Sequence, residues 1–126
     1  MFEGAQGWAI IAAGDLARAR EFYEGVLGLT PTEEQAGDGS VVYDVGGTPL
    51  LVYETSFAGT AQNTVFGIGT KDLDGDMAAL REKGVSFAEY DFAELTTVNG
   101  VAELEAGRTA WFTDSEGNIL ALVEQS

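Results

Sequence analysis

The chain lacks several residue types, and each absence limits its chemistry. Its 126 residues include no cysteine and no histidine. Disulfides, thiolate metal ligands and cysteine nucleophiles are therefore excluded. Without histidine, the commonest general base and the commonest transition-metal ligand are also missing. Any metal would need carboxylate, carbonyl or water ligands, which suit calcium or magnesium better than zinc, nickel or iron.

Basic residues are scarce as well. Six Lys and Arg stand against 21 Asp and Glu, which gives a formal net charge of −15. A field of this sign repels nucleic-acid phosphates and anionic membranes, so we expect neither as a partner. It attracts cationic ligands, although such charge also serves solubility alone.

Long apolar runs are absent, which predicts no membrane span. Residues 1–17 carry no basic segment ahead of their apolar stretch, so we expect no signal peptide and a cytoplasmic location. Hydrophobic residues nevertheless make up 45% of the chain. This content and the length predict one folded domain over residues 1–126.

The chain contains a diverged internal repeat. Residues 15–28 correspond to residues 72–84, with an aspartate at the start and a glycine at the end of each segment. The aspartates predict helix N-caps, and the glycines predict left-handed residues that end the helices. Each copy opens with a short apolar run, residues 8–13 and 65–70, which we interpret as a strand.

Three further strand candidates follow each helix. They are residues 29–34, 40–45 and 48–53 in the first copy, and residues 86–89, 110–113 and 118–123 in the second. The pattern predicts an α+β fold of two tandem βαβββ modules, about 6–57 and 63–126, that form a curved mixed sheet around a concave pocket. Within the second copy, residues 92–107 form a long loop, which is either a binding loop or a mobile surface loop.

Two motifs carry a resemblance to a known family. DLARAREFYEGVLGL, residues 15–29, is similar to the D-L-x-x-x-x-x-F-Y-x-x-x-L-G signature of the vicinal oxygen chelate superfamily. WFTDSEGNILALVE, residues 111–124, is similar to its D-P-x-G-N turn, with Ser115 in place of proline. This superfamily includes glyoxalases, extradiol dioxygenases, fosfomycin-resistance enzymes and bleomycin-resistance proteins. The resemblance implies the two-module fold and a homodimer.

The resemblance also implies where a metal would bind. Enzymes of the family hold a divalent metal with side chains on the first and last strands of each module. Spacing from the two motifs places those positions at Trp8, Leu51, Val65 and Ala121. None of these side chains can ligate a metal. We therefore expect no metal and no cofactor.

An apolar, aromatic trough is expected where the family's metal would lie. Trp111 should lie opposite Ala121 in the closing hairpin, because cross-strand neighbours share a face of a sheet. Val41 and Leu51 should form the equivalent pair in the first module. The predicted ligand-binding residues are Trp8, Val41, Leu51, Tyr53, Val65, Trp111 and Ala121. Tyrosines such as Tyr43 and Tyr90 could supply polar contacts.

Three functions stay open. The first is a metal-free protein that sequesters a small planar or aromatic ligand, cationic in some relatives, in a homodimer. The second is a glyoxalase-like lyase or isomerase that uses carboxylates or tyrosines instead of a metal. The third is an enzyme with an oxygen-only metal site elsewhere in the chain. The sequence favours the first, since no pair of carboxylates can be placed on the inner face. The same aromatic residues would also suit a trough that is packed shut.

Overall fold

The computed structural model describes residues 1–32 and 39–125. The first module contains β1 (Ala9–Ala13), α1 (Leu16–Arg20), a π-helix (Glu21–Val26), β2 (Ser40–Val45) and β3 (Thr48–Glu54). The second contains β4 (Thr64–Thr70), α2 (Leu73–Glu82), β5 (Ala102–Leu104), β6 (Gly107–Thr113) and β7 (Ile119–Glu124). No helix within these described ranges is long and apolar enough to cross a membrane.

The strands form two sheets, ordered β1-β3-β2 and β4-β7-β6-β5. In each module the first strand runs parallel to the last, and the last runs antiparallel to the strand before it. The same topology twice confirms the predicted α+β fold of two βαβββ modules. Within the described residues the two sheets are separate, with no ladder between them.

Both helices begin and end as the sequence predicts. The carboxylates of Asp15 and Asp72 each accept a hydrogen bond from the backbone N–H three residues later, at 3.1 Å. Gly28 and Gly84 follow the helical segments with φ of 74° and 93°. Such values favour glycine because a β-carbon would clash with the backbone.

The first helix departs from the predicted single α-helix. After Arg20 it widens into a π-helix, in which the Leu27 N–H donates to the carbonyl of Phe22 at 3.0 Å. Ala19 and Tyr23 are buried, so the predicted apolar stripe still packs inward.

Two predicted strands are reduced to single bridges. Of residues 29–34, Pro31 bridges to Tyr43, and Glu33 and Glu34 lie outside the described residues. Of residues 86–89, Phe87 bridges to Phe112. At Pro31 the reason is physical, since proline has no N–H to donate to a ladder.

The predicted loop at residues 92–107 is instead structured. It contains β5, which pairs with β6 through a two-residue turn at Glu105 and Ala106. Ahead of β5, residues 89–97 form a short β-hairpin, here called the aromatic hairpin, with a bridge between Asp91 and Thr96. Hydrophobic residues alternate only weakly in β5 and in the aromatic hairpin, so the sequence pattern predicted neither element.

One face of each sheet packs into a shared core. Ile11 and Val52 come from the first sheet, and Leu120 and Leu122 come from the second. Both helices contribute to the same cluster. Because both sheets direct one face at this core, their other faces point away from it. One chain therefore presents two separate open faces.

The turn at residues 114–118 joins the two modules. The hydroxyl of Tyr23 donates to Asp114 Oδ2 at 2.5 Å, and both residues are buried. Asn118 donates from Nδ2 to Asp114 Oδ2 at 2.9 Å and to the Ala12 carbonyl at 2.8 Å. This turn thus contacts the first helix and the first strand.

Glu116 provides a second connection through a fully buried side chain. Its carboxylate accepts bonds from the backbone N–H groups of Gly14 and Asp15 at 2.8 and 2.9 Å. The guanidinium of Arg18 donates two more, from Nε at 2.8 Å and from Nη2 at 2.9 Å. The start of α1 is thereby held by a carboxylate of the second module.

Candidate functional site

The open face of the second sheet carries a row of three residues of decreasing size. Trp111 lies opposite Ala121, which confirms the predicted pairing, and Ala121 lies beside Gly67 of the neighbouring strand β4. A β-carbon added to Gly67 would have no neighbour within 4 Å. The row therefore descends from an indole to a methyl group to bare backbone, and Ala121 at its centre is buried whereas Gly67 is exposed.

A cleft of about 1110 Å³ continues this face beyond the row. Gly67 belongs to the row and also lines the cleft. The next row of the sheet pairs Gly69 with Val123, and the side chain of Gln125 lies over Gly69. The Gln125 side chain covers Gly69, so Gly67 is the glycine of these two rows at which a flat molecule can approach the backbone closely. We call the Trp111 row and this cleft together the cleft face.

The charges at the cleft rim are mostly negative or already paired. Arg108 Nη2 donates to Asp74 at 2.8 Å, and its Nη1 donates to Glu124 at 3.1 Å. The hydrogen bond and charge of Asp74 raise the pKa of Arg108. Glu103 and Glu105 lie at the same rim, as does Lys71. The rim thus offers little free positive charge to an anionic ligand.

The aromatic hairpin extends the wall that Trp111 begins. The ring of Tyr90 meets the Trp111 indole edge-on, with centroids 5.5 Å apart. Phe92 stacks on Tyr90 at 6.0 Å and remains 63% exposed. Backbone bonds between Phe92 and Leu95 and between Tyr90 and Thr97 hold the hairpin in place. Sequence reasoning missed Phe92, although its i, i+2 spacing from Tyr90 on an extended segment was the available signal.

The open face of the first sheet carries the other predicted aromatic residues. Leu51 lies between Ile10 of β1 and Val42 of β2. Tyr53 is 41% exposed, Ile10 is 56% exposed, and Trp8, just before β1, is 57% exposed. The structure thus places Trp8, Leu51 and Tyr53 on a face separate from that of Trp111.

The prediction that Val41 lines the trough is wrong. Val41 pairs with Val52 and is fully buried in the core, and the partner of Leu51 is Val42. The reason is the turn, because the first hairpin closes with two residues and the second with five. A one-residue difference in register moves a side chain to the other face of the sheet.

Val65 also departs from its predicted place. A bulge interrupts the pairing of β4 between Thr64 and Phe66, so Val65 has no partner in β7. Its partly buried side chain packs against the core instead. Bulges re-aim side chains in this way, and the bulge has no clear signature in the sequence.

The tyrosine predicted to contact ligand from the first hairpin is not available. Tyr43 is buried, and its hydroxyl donates to Glu24 at 2.8 Å. Burial, followed by this hydrogen bond, raises the pKa of Tyr43. Burial likewise raises the pKa of Tyr23. Both phenols therefore stay protonated donors inside the core, where they stabilise the fold and do not reach a ligand.

The side chains present do not fit the divalent metal of the resembled family. Trp8, Leu51, Val65 and Ala121 offer no ligand atom at the four implied positions. Nearby Glu54 accepts from the Leu16 N–H at 2.9 Å, at the start of α1. Across residues 1–32 and 39–125, no group of three or more acidic residues could hold a metal ion.

The comparisons with known proteins agree with this architecture. The family model for the Glyoxalase/Bleomycin resistance protein/Dioxygenase superfamily matches residues 5–122. A search of curated protein sequences found no significant match.

Solved structures show the same fold at low sequence identity. TnmS3, an antibiotic binding protein from Streptomyces sp. CB03234, is 21% identical, with 98% of this chain and 99% of that chain covered and a TM-score of 0.65. The fosfomycin resistance protein FosX from Listeria monocytogenes is 14% identical, with 100% and 96% covered and a TM-score of 0.69. Lactoylglutathione lyase from Agrobacterium tumefaciens is 17% identical, with 97% and 94% covered and a TM-score of 0.69.

Proposed function

The chain belongs to the Glyoxalase/Bleomycin resistance protein/Dioxygenase superfamily, and we propose that it binds a small planar organic molecule at its cleft face without a metal. The descending row of Trp111, Ala121 and Gly67 beside the cleft carries this proposal. An indole next to Gly67, which has open space above it, suits a flat ring that lies on the backbone there. The cleft beyond the row adds polar and charged side chains such as Glu103 and Gln125, which can orient a ligand.

The charge of the protein favours a cationic ligand. The formal net charge is −15, and the rim cation Arg108 is already paired with two carboxylates. The exposed ring of Phe92 and the indole of Trp111 can each attract a cation, worth about 0.5–2 kcal/mol per contact. TnmS3 in the same family is an antibiotic binding protein, which supports binding without assigning this ligand.

The two open faces of one chain suggest that the site is completed by a second copy. Trp8, Ile10 and Tyr53 expose large apolar surfaces on the first sheet, whereas Trp111 lies on the other open face. We propose that a homodimer brings the first face of one protomer against the cleft face of its partner. The predicted residues Trp8, Leu51 and Tyr53 would then share one trough with Trp111 and Ala121.

Sedimentation should test this assembly. Wild-type protein is expected to sediment as a dimer at micromolar concentration, because exposed apolar patches of this kind mark interfaces. Ile10→Asp should give monomer, since it places a charge on the first open face. Val98→Asp is the control, because Val98 is 69% exposed and lies beside α2, near Met77 and Arg81. A monomeric wild type would contradict the shared trough.

Tryptophan fluorescence should test ligand binding. The protein has two tryptophans, so Trp8→Phe leaves Trp111 as the only reporter. Titration with a panel of planar compounds, cationic and neutral, with bleomycin included, should give saturable quenching by at least one cationic member. Trp111→Leu, made in the chain that retains Trp8, should weaken the binding of that compound at least tenfold because the indole is lost.

A variant that fills the floor provides an independent check. Gly67 has an ordinary backbone angle and open space above it, so Gly67→Leu should fold normally and block the ligand. If no compound in the panel quenches Trp111, or if Gly67→Leu leaves quenching unchanged, ligand binding at the cleft face is refuted.

A further inference from the structure

A second concave site lies at the joint between the modules, away from both open faces. It is a cleft of about 290 Å³ where the end of the first helical segment meets α2. Its lining is aliphatic and includes Val26, Leu27, Leu29, Val45, Ile68, Ala79, Leu80 and Leu122. Neither tryptophan contributes to it.

Both modules supply this lining in comparable measure. Leu27 and Leu29 come from the first module, where the chain leaves the π-helix, and Ile68 and Leu122 come from the second sheet. Leu80 and Leu122 are themselves buried at the edge of the shared core. Aliphatic groups from the two modules thus line a gap between them. Leaving such surfaces in water is unfavourable, so an apolar occupant is stabilised there.

The polar groups at the rim are already engaged. Lys83 Nζ donates to the Gly25 carbonyl at 3.0 Å, across the junction of the two modules. Asp76 accepts a hydrogen bond from the hydroxyl of Thr70. Both side chains thus make a hydrogen bond within the protein, and the net charge of −15 opposes an anionic ligand.

We propose that this junction cleft binds a small neutral aliphatic molecule as a second ligand site. A volume of about 290 Å³ equals that of roughly ten waters of about 30 Å³ each, which limits the ligand to about ten heavy atoms. The site differs in chemistry from the cleft face, because its lining is mostly aliphatic and lacks aromatic rings. It does not depend on the function proposed above.

Methyl-labelled NMR with n-octanol as the probe should test the site. Octanol is expected to shift the methyl signals of Ile68, Leu80 and Leu122 saturably, and to leave the exposed methyls of Val98 unchanged. Quenching of Trp111 by a cleft-face ligand should be unaffected by octanol, so failure at one site is distinguishable from failure at the other.

Two alanines of α2 provide a blocking variant and its control. Ala79 is exposed and lines the cleft, whereas the neighbouring Ala78 is exposed but does not. Ala79→Phe should weaken the binding of octanol at least tenfold, and Ala78→Phe should change its affinity less than twofold. Should Ala79→Phe fail to fold, Ala79→Leu fills the same space with a smaller group.

Three results would overturn the proposal. The first is the absence of saturable shifts up to the solubility limit of octanol. The second is equal binding by the variants at positions 78 and 79. The third is tighter binding of octanoate than of octanol, which would assign the cleft to a carboxylate held by Lys83 instead of a neutral molecule.

Discussion

Replacing Asp114 by alanine should lower the free energy of unfolding by about 4 kcal/mol or more. Its carboxylate accepts four hydrogen bonds in a buried setting: from the Tyr23 hydroxyl, the Asn118 amide and the backbone N–H groups of Glu116 and Asn118. Alanine leaves these donors without their acceptor. A protein of this size should then melt about 15 °C lower.

Urea denaturation followed by circular dichroism measures this difference. Asp44→Ala is the matched control, because Asp44 occupies the equivalent turn of the first module and accepts from the Gly47 N–H at 3.1 Å on the surface. Removing that exposed bond should cost about 1 kcal/mol or less. If Asp114→Ala costs no more than Asp44→Ala, the buried network does not hold the modules together.

Glu116→Gln should destabilise the protein by up to about 3 kcal/mol at neutral pH. The hydrogen bonds from Arg18, opposed by burial, lower the pKa of Glu116 from 4.5 to about 2. A fall of about 2.5 pKa units corresponds to at most about 3 kcal/mol. Glutamine keeps the shape but sets an amide donor against the guanidinium of Arg18.

The pH dependence of this loss has a definite sign. A lowered carboxylate pKa stabilises the folded state above the pKa of the unfolded state, and the contribution disappears as pH falls through the folded value. The stability difference between wild type and Glu116→Gln should therefore be full at pH 6 and shrink between about pH 5 and pH 2. A difference that is constant over this window would show that the ionised carboxylate is not what stabilises the junction.

Glu54→Gln is the control for Glu116. Glu54 also accepts a backbone N–H at the start of α1, but it does so on the exposed surface. Its replacement should cost less than about 1 kcal/mol. The contrast isolates the effect of a carboxylate that connects two modules from that of an ordinary helix contact.

The carboxylates of Asp114 and Glu116 bear on the proposed function because they fix how the two modules meet. The turn at residues 114–118 ends β6 and begins β7, the strands that carry Trp111 and Ala121. Its contacts with Gly14 and Tyr23 set the first module against the second.

Four apolar side chains stand where the resemblance implies metal ligands, and an indole and an exposed glycine flank one of them, Ala121. A scaffold that supports many chemistries permits this change, since function resides in the site and not in the fold. The proposed binding of a flat ligand then depends on surface shape and aromatic contacts.

The sequence alone determined the architecture of each module. Aspartate and glycine at matching places predicted the ends of both helices, because capping depends on local backbone hydrogen bonds and on positive φ. The pairing of Trp111 with Ala121 followed from the turn between them. The absence of histidine and cysteine limited the possible chemistry whatever the fold, because side chains that are missing cannot ligate a metal or act as a nucleophile.

Only the tertiary structure decided which residues share a surface. Val41 lies outside the predicted site because of a one-residue difference in register, and Val65 lies outside it because of a bulge. The hydrophobic pattern of the sequence specifies neither feature. Phe92 joined the aromatic wall through a hairpin that the sequence had suggested was a loop. Within one chain the two open faces point away from the shared core, and long-range hydrogen bonds to Asp114 and Glu116 fix that packing of the modules.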